Sequence, residues 1–430
     1  MSDIPIKSLS GTADRLPWQW RLWRRLHAAA RRQFGLYGYG ELSTPVIEEA
    51  DLFVKGTGED TEIVEKQMYT IPPADTGADR DGETVTLRPE GTPPAIRAYL
   101  EANLHKKQQF QKFWYAGPMF RRERPQKGRL RQFHQIGVEA VGGASPLLDA
   151  ETILLADSIY KNAGLSQCRI CINTIGCPEC RPIYHENLRN ELEKRKEELC
   201  PDCSARLRRN VLRVLDCKNT SCRKAAAGTP CIRDMVCEKC LGHYEALKSA
   251  LDAEGLGYEE EPHLVRGLDY YTRTVYEIKH DALGARDTIC GGGRYDGLVP
   301  QMGGPQTPCV GFAMGVEPSL IAMEEEIDTD GDGTDGLEAY VVCFEDSARS
   351  RCFQLLMSLR KAGVAAEMDF ENRSPRAQMK MANKTGAEFC LLVGERELTK
   401  NEVTLKNMKS GQQWNVPWED TAAGIREAGS

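Results

Sequence analysis

The chain has 430 residues, 41% of them apolar and 28% charged, which fits an ordinary globular protein of two or three domains with a substantial core. No stretch approaches the roughly 18 uninterrupted apolar residues that a membrane helix needs, and residues 1–11 hold no basic segment followed by an apolar run, so the expectation is a cytoplasmic protein with no membrane partner. The formal charge of −7 excludes a generally basic nucleic-acid coat while leaving room for a local basic patch that holds RNA.

In chain order, Leu16, Trp20, Trp23, Leu26, Ala30 and Phe34 recur at helical spacing behind the capping candidates Thr12 and Asp14, which predicts an amphipathic opening helix. Residues 35–53 read as a turn and a strand ending at Pro45, with extended segments at 67–71 and 83–87 around a loop at 72–81. Residues 112–141 carry a strong hairpin pattern, two apolar-rich runs flanking a polar loop at 123–131. Between about 176 and 257 the character changes to cysteine pairs and charged helical runs such as 190–198. Strand patterns resume at 263–279, 288–290 and 310–316. The acidic, glycine-rich 328–336 reads as a linker, and segments at 339–344, 353–361, 365–369, 377–384 and 389–393 then alternate strand and helix.

This order predicts an α+β protein. A discontinuous core around an antiparallel sheet occupies 1–175 and 258–327, interrupted by a helical, cysteine-rich module at 176–257. A linker at 328–336 leads to an α/β domain at 337–430.

The hairpin loop concentrates Arg121, Arg122, Arg124, Lys127, Arg129 and Arg131, and guanidinium groups engage phosphate and carboxylate bidentately. In the strand that follows, Phe133, Gln135, Gly137 and Glu139 share one face. A solvated basic turn is the ordinary meaning of such a loop; its neighbours in the chain argue otherwise. The segment from Phe120 to Glu139 resembles motif 2 of class II aminoacyl-tRNA synthetases in its histidyl form. The run from Gly40 to Pro45 is similar to motif 1, Leu87-Arg-Pro-Glu-Gly-Thr92 looks like the histidine-binding element, and Gly311-Phe-Ala-Met-Gly-Val-Glu-Pro318 resembles motif 3. Two further runs, Arg266-Gly-Leu-Asp-Tyr-Tyr271 and Gly291-Gly-Gly-Arg-Tyr-Asp-Gly297, match signatures of the bacterial-type histidyl-tRNA synthetases. The likeness extends over essentially the whole chain.

The resemblance implies ATP-dependent attachment of L-histidine to tRNA(His) through a histidyl-adenylate, by a homodimer whose motif 1 strand lies at the interface, with the C-terminal domain binding the anticodon. It assigns Arg121 to the α-phosphate and substrate carboxylate, Glu123 to adenine, Arg129 to the outer phosphates, and Arg266 to an electrophilic role on the opposite side. Glu90, Thr92 and Gln135 would accept from the histidine α-ammonium; Glu139, Tyr270 and Tyr271 would recognise the ring. Gly311, Ala313, Gly315 and Glu317 are expected to alternate onto one face as the floor for adenine, which makes Glu317 an ATP contact. Mg²⁺ arrives with ATP, and for the second step the resemblance gives the proton of the ribose hydroxyl to a phosphate oxygen of the adenylate. A site that hydrogen-bonds its substrate can discriminate by ~10⁴ or more, so no editing domain is expected.

One position departs from the family. Pro318 stands where an arginine usually follows the motif 3 glutamate, and Arg129 and Arg294 are the expected substitutes for the missing cation. The alternative that this departure opens is a catalytically weakened, synthetase-like regulatory or RNA-binding paralogue.

Eleven of the sixteen cysteines lie between Cys168 and Cys240. Four Cys-x-x-Cys pairs (Cys168/Cys171, Cys177/Cys180, Cys200/Cys203 and Cys237/Cys240) suggest zinc. Cys168 and Cys171 fall in a strand, where an odd offset turns them to opposite faces, as core residues. A helix after Cys180 would separate Cys177/Cys180 from Cys200/Cys203 by roughly 25 Å, which leaves Cys200/Cys203 with Cys237/Cys240 as the feasible tetrad. Catalysis by resemblance needs no metal site of the protein's own, so structural zinc is not favoured here. Asp328, Asp330, Asp332 and Gly333 imitate an EF-hand opening, but Ala339 stands where the bidentate glutamate belongs, so an acidic linker is preferred. His134 reads as a packed residue.

Overall fold

The computed structural model describes residues 6–58, 61–71, 84–107, 110–327 and 337–429, and the chain divides into two compact units, 1–327 and 328–430. The loop expected at 72–81 and the acidic stretch 328–336 lie outside the described residues.

The first unit is built on an eight-stranded sheet. Its spatial order is Gly40–Glu41, Gln111–Phe120, Gln132–Val141, Cys309–Gly315, Thr288–Arg294, Thr272–Lys279, Arg169–Thr174 and Glu259–Glu260. Every pairing is antiparallel except the two at the edges. The expected hairpin is its longest pair, with Tyr115 opposite Gly137. Thr272–Lys279, Thr288–Arg294 and Cys309–Gly315 slot between the hairpin and Arg169–Thr174, so the sheet closes only once the cysteine-rich segment has been traversed.

The opening helix, Trp20–Tyr37, buries Leu22, Trp23, Leu26, Ala30 and Phe34 and ends at Gly38, whose φ of 74° is the left-handed cap that glycine adopts without strain. Leu16 and Trp20, counted in the apolar stripe from sequence, are exposed, because the regular helix starts only at Trp20. This helix and Pro146–Ala163 cover one face of the sheet and share a core with Ile136, Val138, Tyr276, Ile278 and Phe312. Truncating a fully buried member such as Leu26 costs about 2–5 kcal/mol by transfer and cavity terms together. Cys168 joins this core while Cys171 joins the core on the other side, as their odd spacing requires.

Two sequence expectations are corrected. The strand read within 35–53 is only Gly40–Glu41, followed by Ile47–Glu49 and the helix Ala50–Thr57; Ile47–Glu49 forms a separate small sheet with Val85–Leu87 and Tyr69–Ile71. The strand expected at 263–279 begins at Thr272, since residues 263–271 leave the sheet to reach over the site. In residues 176–257 the helices Arg181–Glu193, Pro201–Arg209, Thr220–Ala227 and Glu238–Ala253 are joined by short 3₁₀ turns.

The second unit is a five-stranded sheet in the order Ala366–Met368, Ala339–Cys343, Phe389–Val393, Glu402–Asn407, Gln413–Pro417. The first three strands are parallel and the last two antiparallel. Fully buried Val341, Leu355, Leu359 and Leu391 fill its core.

Candidate active site

Two connected hollows lie over the middle of the large sheet. A recess of about 100 Å³ is lined by Glu90, Thr92, Tyr115, Gln135, Tyr270, Tyr271 and Tyr295, and it shares Arg121, Arg266, Leu268, Gly291 and Ala313 with a wider cavity of about 950 Å³. Arg121 and Arg266 therefore stand where the two meet.

Each recess residue is delivered by a different local device. The loop after Val85–Leu87 brings Glu90 to the start of the helix Thr92–Glu101, with Pro93 and Pro94 in its first turn. Tyr270 donates to Glu90 at 3.0 Å, while the other Glu90 oxygen is buried without a protein partner. Gln135 also presents a buried, unpartnered oxygen. Such orphan acceptors are costly unless a ligand supplies donors, and an ammonium has three. Burial raises the Glu90 carboxyl above the usual carboxylate range, against the opposing pull of Arg121.

Glu139 is placed differently from the sequence expectation. It lies behind the recess rather than among its lining side chains, receiving hydroxyls from Thr92 at 2.7 Å, Tyr115 at 3.1 Å and Tyr295. Thr92 is thus occupied as a donor to Glu139. Burial pushes the Glu139 carboxyl up to about 8 even with three hydroxyls donating to it. Tyr270 and Tyr271 pack at 4.7 Å between ring centres. Tyr115 and Tyr295 were not singled out from sequence. A signal for Tyr115 was present: a Cβ on Gly91 or on Gly137 would come within 2.4 Å of its ring, so two motif glycines exist to seat one aromatic.

Arg266 projects from the 263–271 loop and is held by an ion pair with Glu277. A Cβ at Gly291 would fall within 2.5 Å of its guanidinium, so the glycine run lets Arg266 lie flat on the sheet. Burial opposes the charge, yet Glu277 keeps the Arg266 pKa above the ordinary arginine value. Arg121 donates to the Pro89 carbonyl at 2.9 Å and lies 5.2 Å from the centre of the Phe133 ring. Glu123 and Arg129 line the wider cavity and face each other at 3.6 Å.

Two expectations fail here. Glu317 does not line either hollow: the strand ends at Gly315 and the helix Val316–Glu326 begins, so the alternation that was to place Glu317 beside Gly311, Ala313 and Gly315 stops two residues short. Its carboxylate instead accepts from the His134 amide and bonds the His134 ring, both at 2.8 Å, with Arg15 at 3.5 Å. Arg294 is fully buried, bonded to Asp149 and to the carbonyls of Gly143 and Ser145, and so cannot stand in for a motif 3 arginine. Pro318, in the first turn of its helix, does border the wider cavity.

The cysteines also assort differently from the expected tetrad. Cys237/Cys240 meet Cys177/Cys180, and Cys200/Cys203 meet Cys217 and Cys222. The last pair is spaced Cys-x₄-Cys, outside the Cys-x-x-Cys pattern of the others.

An antiparallel sheet carrying a basic hairpin, a glycine-floored cavity beside the motif 3 strand and two arginines at the mouth of a polar recess defines a class II aminoacyl-tRNA synthetase. The model of the histidyl-tRNA synthetase family matches residues 11–318, and that of the anticodon binding domain matches residues 338–428. A histidine–tRNA ligase of Halothermothrix orenii is 44% identical over 96% of this chain and 97% of its own length, and one of Desulforamulus reducens is 43% identical over 97% and 98%. The crystal structure of apo S. aureus histidyl-tRNA synthetase superposes with a TM-score of 0.80 at 34% identity, covering 98% of this chain and all of that one. The chain belongs to the histidyl-tRNA synthetase family.

Proposed function

We propose that this chain joins L-histidine to tRNA(His) in two steps: the histidine carboxylate attacks the α-phosphate of ATP, expelling diphosphate, and the terminal ribose hydroxyl of the tRNA then displaces AMP. The observation that carries the reading is the pair of orphan acceptors, on Glu90 and Gln135, in a recess whose mouth holds Arg121 and Arg266. The acceptors take the α-ammonium, and the two guanidinium groups neutralise the carboxylate and the α-phosphate as they approach. No general base is required for the first step; positioning and preorganised charge supply the acceleration. Arg266 suits the electrophilic role because Glu277 fixes its orientation before substrate arrives.

The ring of histidine enters among Tyr270, Tyr271 and the Thr92, Tyr115 and Tyr295 hydroxyls, with Glu139 polarising those hydroxyls from behind. ATP with its Mg²⁺ occupies the wider cavity, against Gly291, Ala313 and Gly315, with Glu123 toward adenine and Arg129 toward the outer phosphates. Arg206, Arg213, Lys218 and Arg223, from residues 176–257, also line that cavity and replace Arg294 as candidates to offset Pro318. The segment 176–257 acts as an inserted module beside the tRNA acceptor end, and residues 337–430 bind the anticodon. The working protein is a cytoplasmic homodimer, paired through the sheet edge that ends in Gly40–Glu41; among the described residues no helix is long and apolar enough to cross a membrane.

Pyrophosphate exchange measured with each amino acid separately tests the assignment. Exchange with histidine alone is expected; exchange with none, from folded protein, would favour the regulatory paralogue.

A further inference from the structure

Residues 176–257 contain nine cysteines, and eight of them fall into two complete tetrads. In each, the four sulfurs lie within 4.8 Å of one another: Cys177, Cys180, Cys237 and Cys240 in the first, Cys200, Cys203, Cys217 and Cys222 in the second. We infer that these tetrads are two structural zinc sites, each holding one ion through four thiolates.

The spacing fits one tetrahedral ion in each tetrad, not a disulfide or a cluster. A tetrahedral zinc with Zn–S bonds of about 2.3 Å sets its sulfurs about 3.8 Å apart. The separations are 3.5 Å for Cys177 and Cys180, 4.0 Å for Cys180 and Cys240, and 4.0 Å for Cys200 and Cys217. A disulfide would need about 2.05 Å, and an iron–sulfur cluster, with several irons between its thiolates, needs a wider cage.

The backbone is arranged as the ion requires. Cys200 and Cys237 each precede a helix with nearly the same conformation, φ −66° with ψ 161° and φ −66° with ψ 160°, while Cys203 and Cys240 follow one turn inside. Two unrelated stretches of sequence therefore build the same Cys-x-x-Cys turn, each at a helix N-terminus that favours negative sulfur. Amide groups add to this. Cys237 N–H points to the Cys180 sulfur at 3.1 Å, Cys200 N–H to the Cys222 sulfur at 3.1 Å, and Asn219 N–H to the Cys217 sulfur at 3.5 Å. Loading each site releases four thiol protons and leaves a net charge of −2 on the ion and its ligands, which these amides disperse.

The segment also has a need for such staples. Two of its helices have only 9 and 8 residues, and the chain between them is 3₁₀ turn and loop, a scaffold of the size that relies on metal or disulfide. The ions tie its distant ends together, since the first tetrad closes the start of the segment onto its last helix. The second lies at the rim of the wider cavity, which Cys217 lines along with Asp216 and Lys218. Cys231 belongs to neither tetrad and serves as the internal control.

Elemental analysis of the full-length protein, purified without chelator, should find two zinc ions per chain. Cys177→Ser with Cys237→Ser should leave one, Cys200→Ser with Cys222→Ser should leave one, and Cys231→Ser should leave two. If the double variants do not fold, the wild type still decides, because in native protein the eight thiols should resist a thiol reagent until zinc is withdrawn. Cobalt exchanged into the sites should give the absorption of a four-sulfur tetrahedral centre. One zinc per chain or none, iron in its place, thiols that titrate freely, or disulfides within the tetrads would each overturn the inference.

Discussion

The recess and the wider cavity are neighbours that hold their side chains in opposite ways. In the recess nearly every polar group is buried and tied to another, as in the Tyr270 to Glu90 and Thr92 to Glu139 bonds, leaving a few acceptors bare. On the hairpin side of the cavity the charges are more loosely held, as with Glu123 and a half-exposed Arg129 at 3.6 Å. The difference teaches where selectivity and where adaptability reside. A ligand that fails to satisfy the recess leaves buried polar groups unpaired, whereas a lost cation in the cavity has others nearby.

The largest effect should come from the junction itself. Arg266→Ala should leave the chain folded but lower histidine-dependent exchange by ~10² or more, the loss expected for one preorganised charge; near-normal exchange would remove Arg266 from the reaction. Glu90→Gln should raise the KM for histidine about 10- to 100-fold, equivalent to ~1.5–3 kcal/mol for a charged hydrogen bond, with the KM for ATP little changed. Equal shifts in both constants would erase the distinction between the two hollows. Pro318→Arg should lower the KM for ATP about fivefold, ~1 kcal/mol for a half-exposed charge contact, and leave that for histidine alone. If ATP kinetics stay the same, residue 318 does not meet the nucleotide.

The smallest effect is thermal. Because the folded-state pKa of Glu139, about 8, lies above the roughly 4.3 of an unfolded glutamate, the folded chain binds the extra proton between these values. Its contribution is intact below that lower value and is lost as pH rises toward 8. The melting temperature of wild type relative to Glu139→Gln should therefore fall from pH 5 to pH 8; a constant difference would mean that Glu139 titrates normally.

The hairpin, the resumption of strands after the cysteine-rich segment, and Glu90, Gln135, Tyr270 and Tyr271 of the recess were legible because alternation and motif spacing are local properties of the sequence. What escaped notice depended on where an element stops or which remote partner it meets. Glu317 was misplaced because the strand alternation was carried past Gly315, although Glu317 and Pro318 are both residues that favour a helix's first turn. Arg294 read as a substitute for the motif 3 cation because its partner, Asp149, is 145 residues away. Tyr115 could have been found only by asking which side chain needed the space of both Gly91 and Gly137. The strands Glu402–Asn407 and Gln413–Pro417 went unread because their outward-facing polar residues look like loop.

Asp149 carries a last consequence. This carboxylate, with no exposed surface, is shared by Arg294, by Thr274 at 2.6 Å and by His243 at 2.7 Å. Three of these residues belong to the sheet and its covering helix, but His243 comes from Glu238–Ala253, the far end of the cysteine-rich segment. That segment is consequently not a cassette. An engineer who excised residues 176–257 to make a minimal catalytic domain would remove a donor from the centre of what remains, and a chimera that grafts another insertion here must bring its own histidine to the same depth.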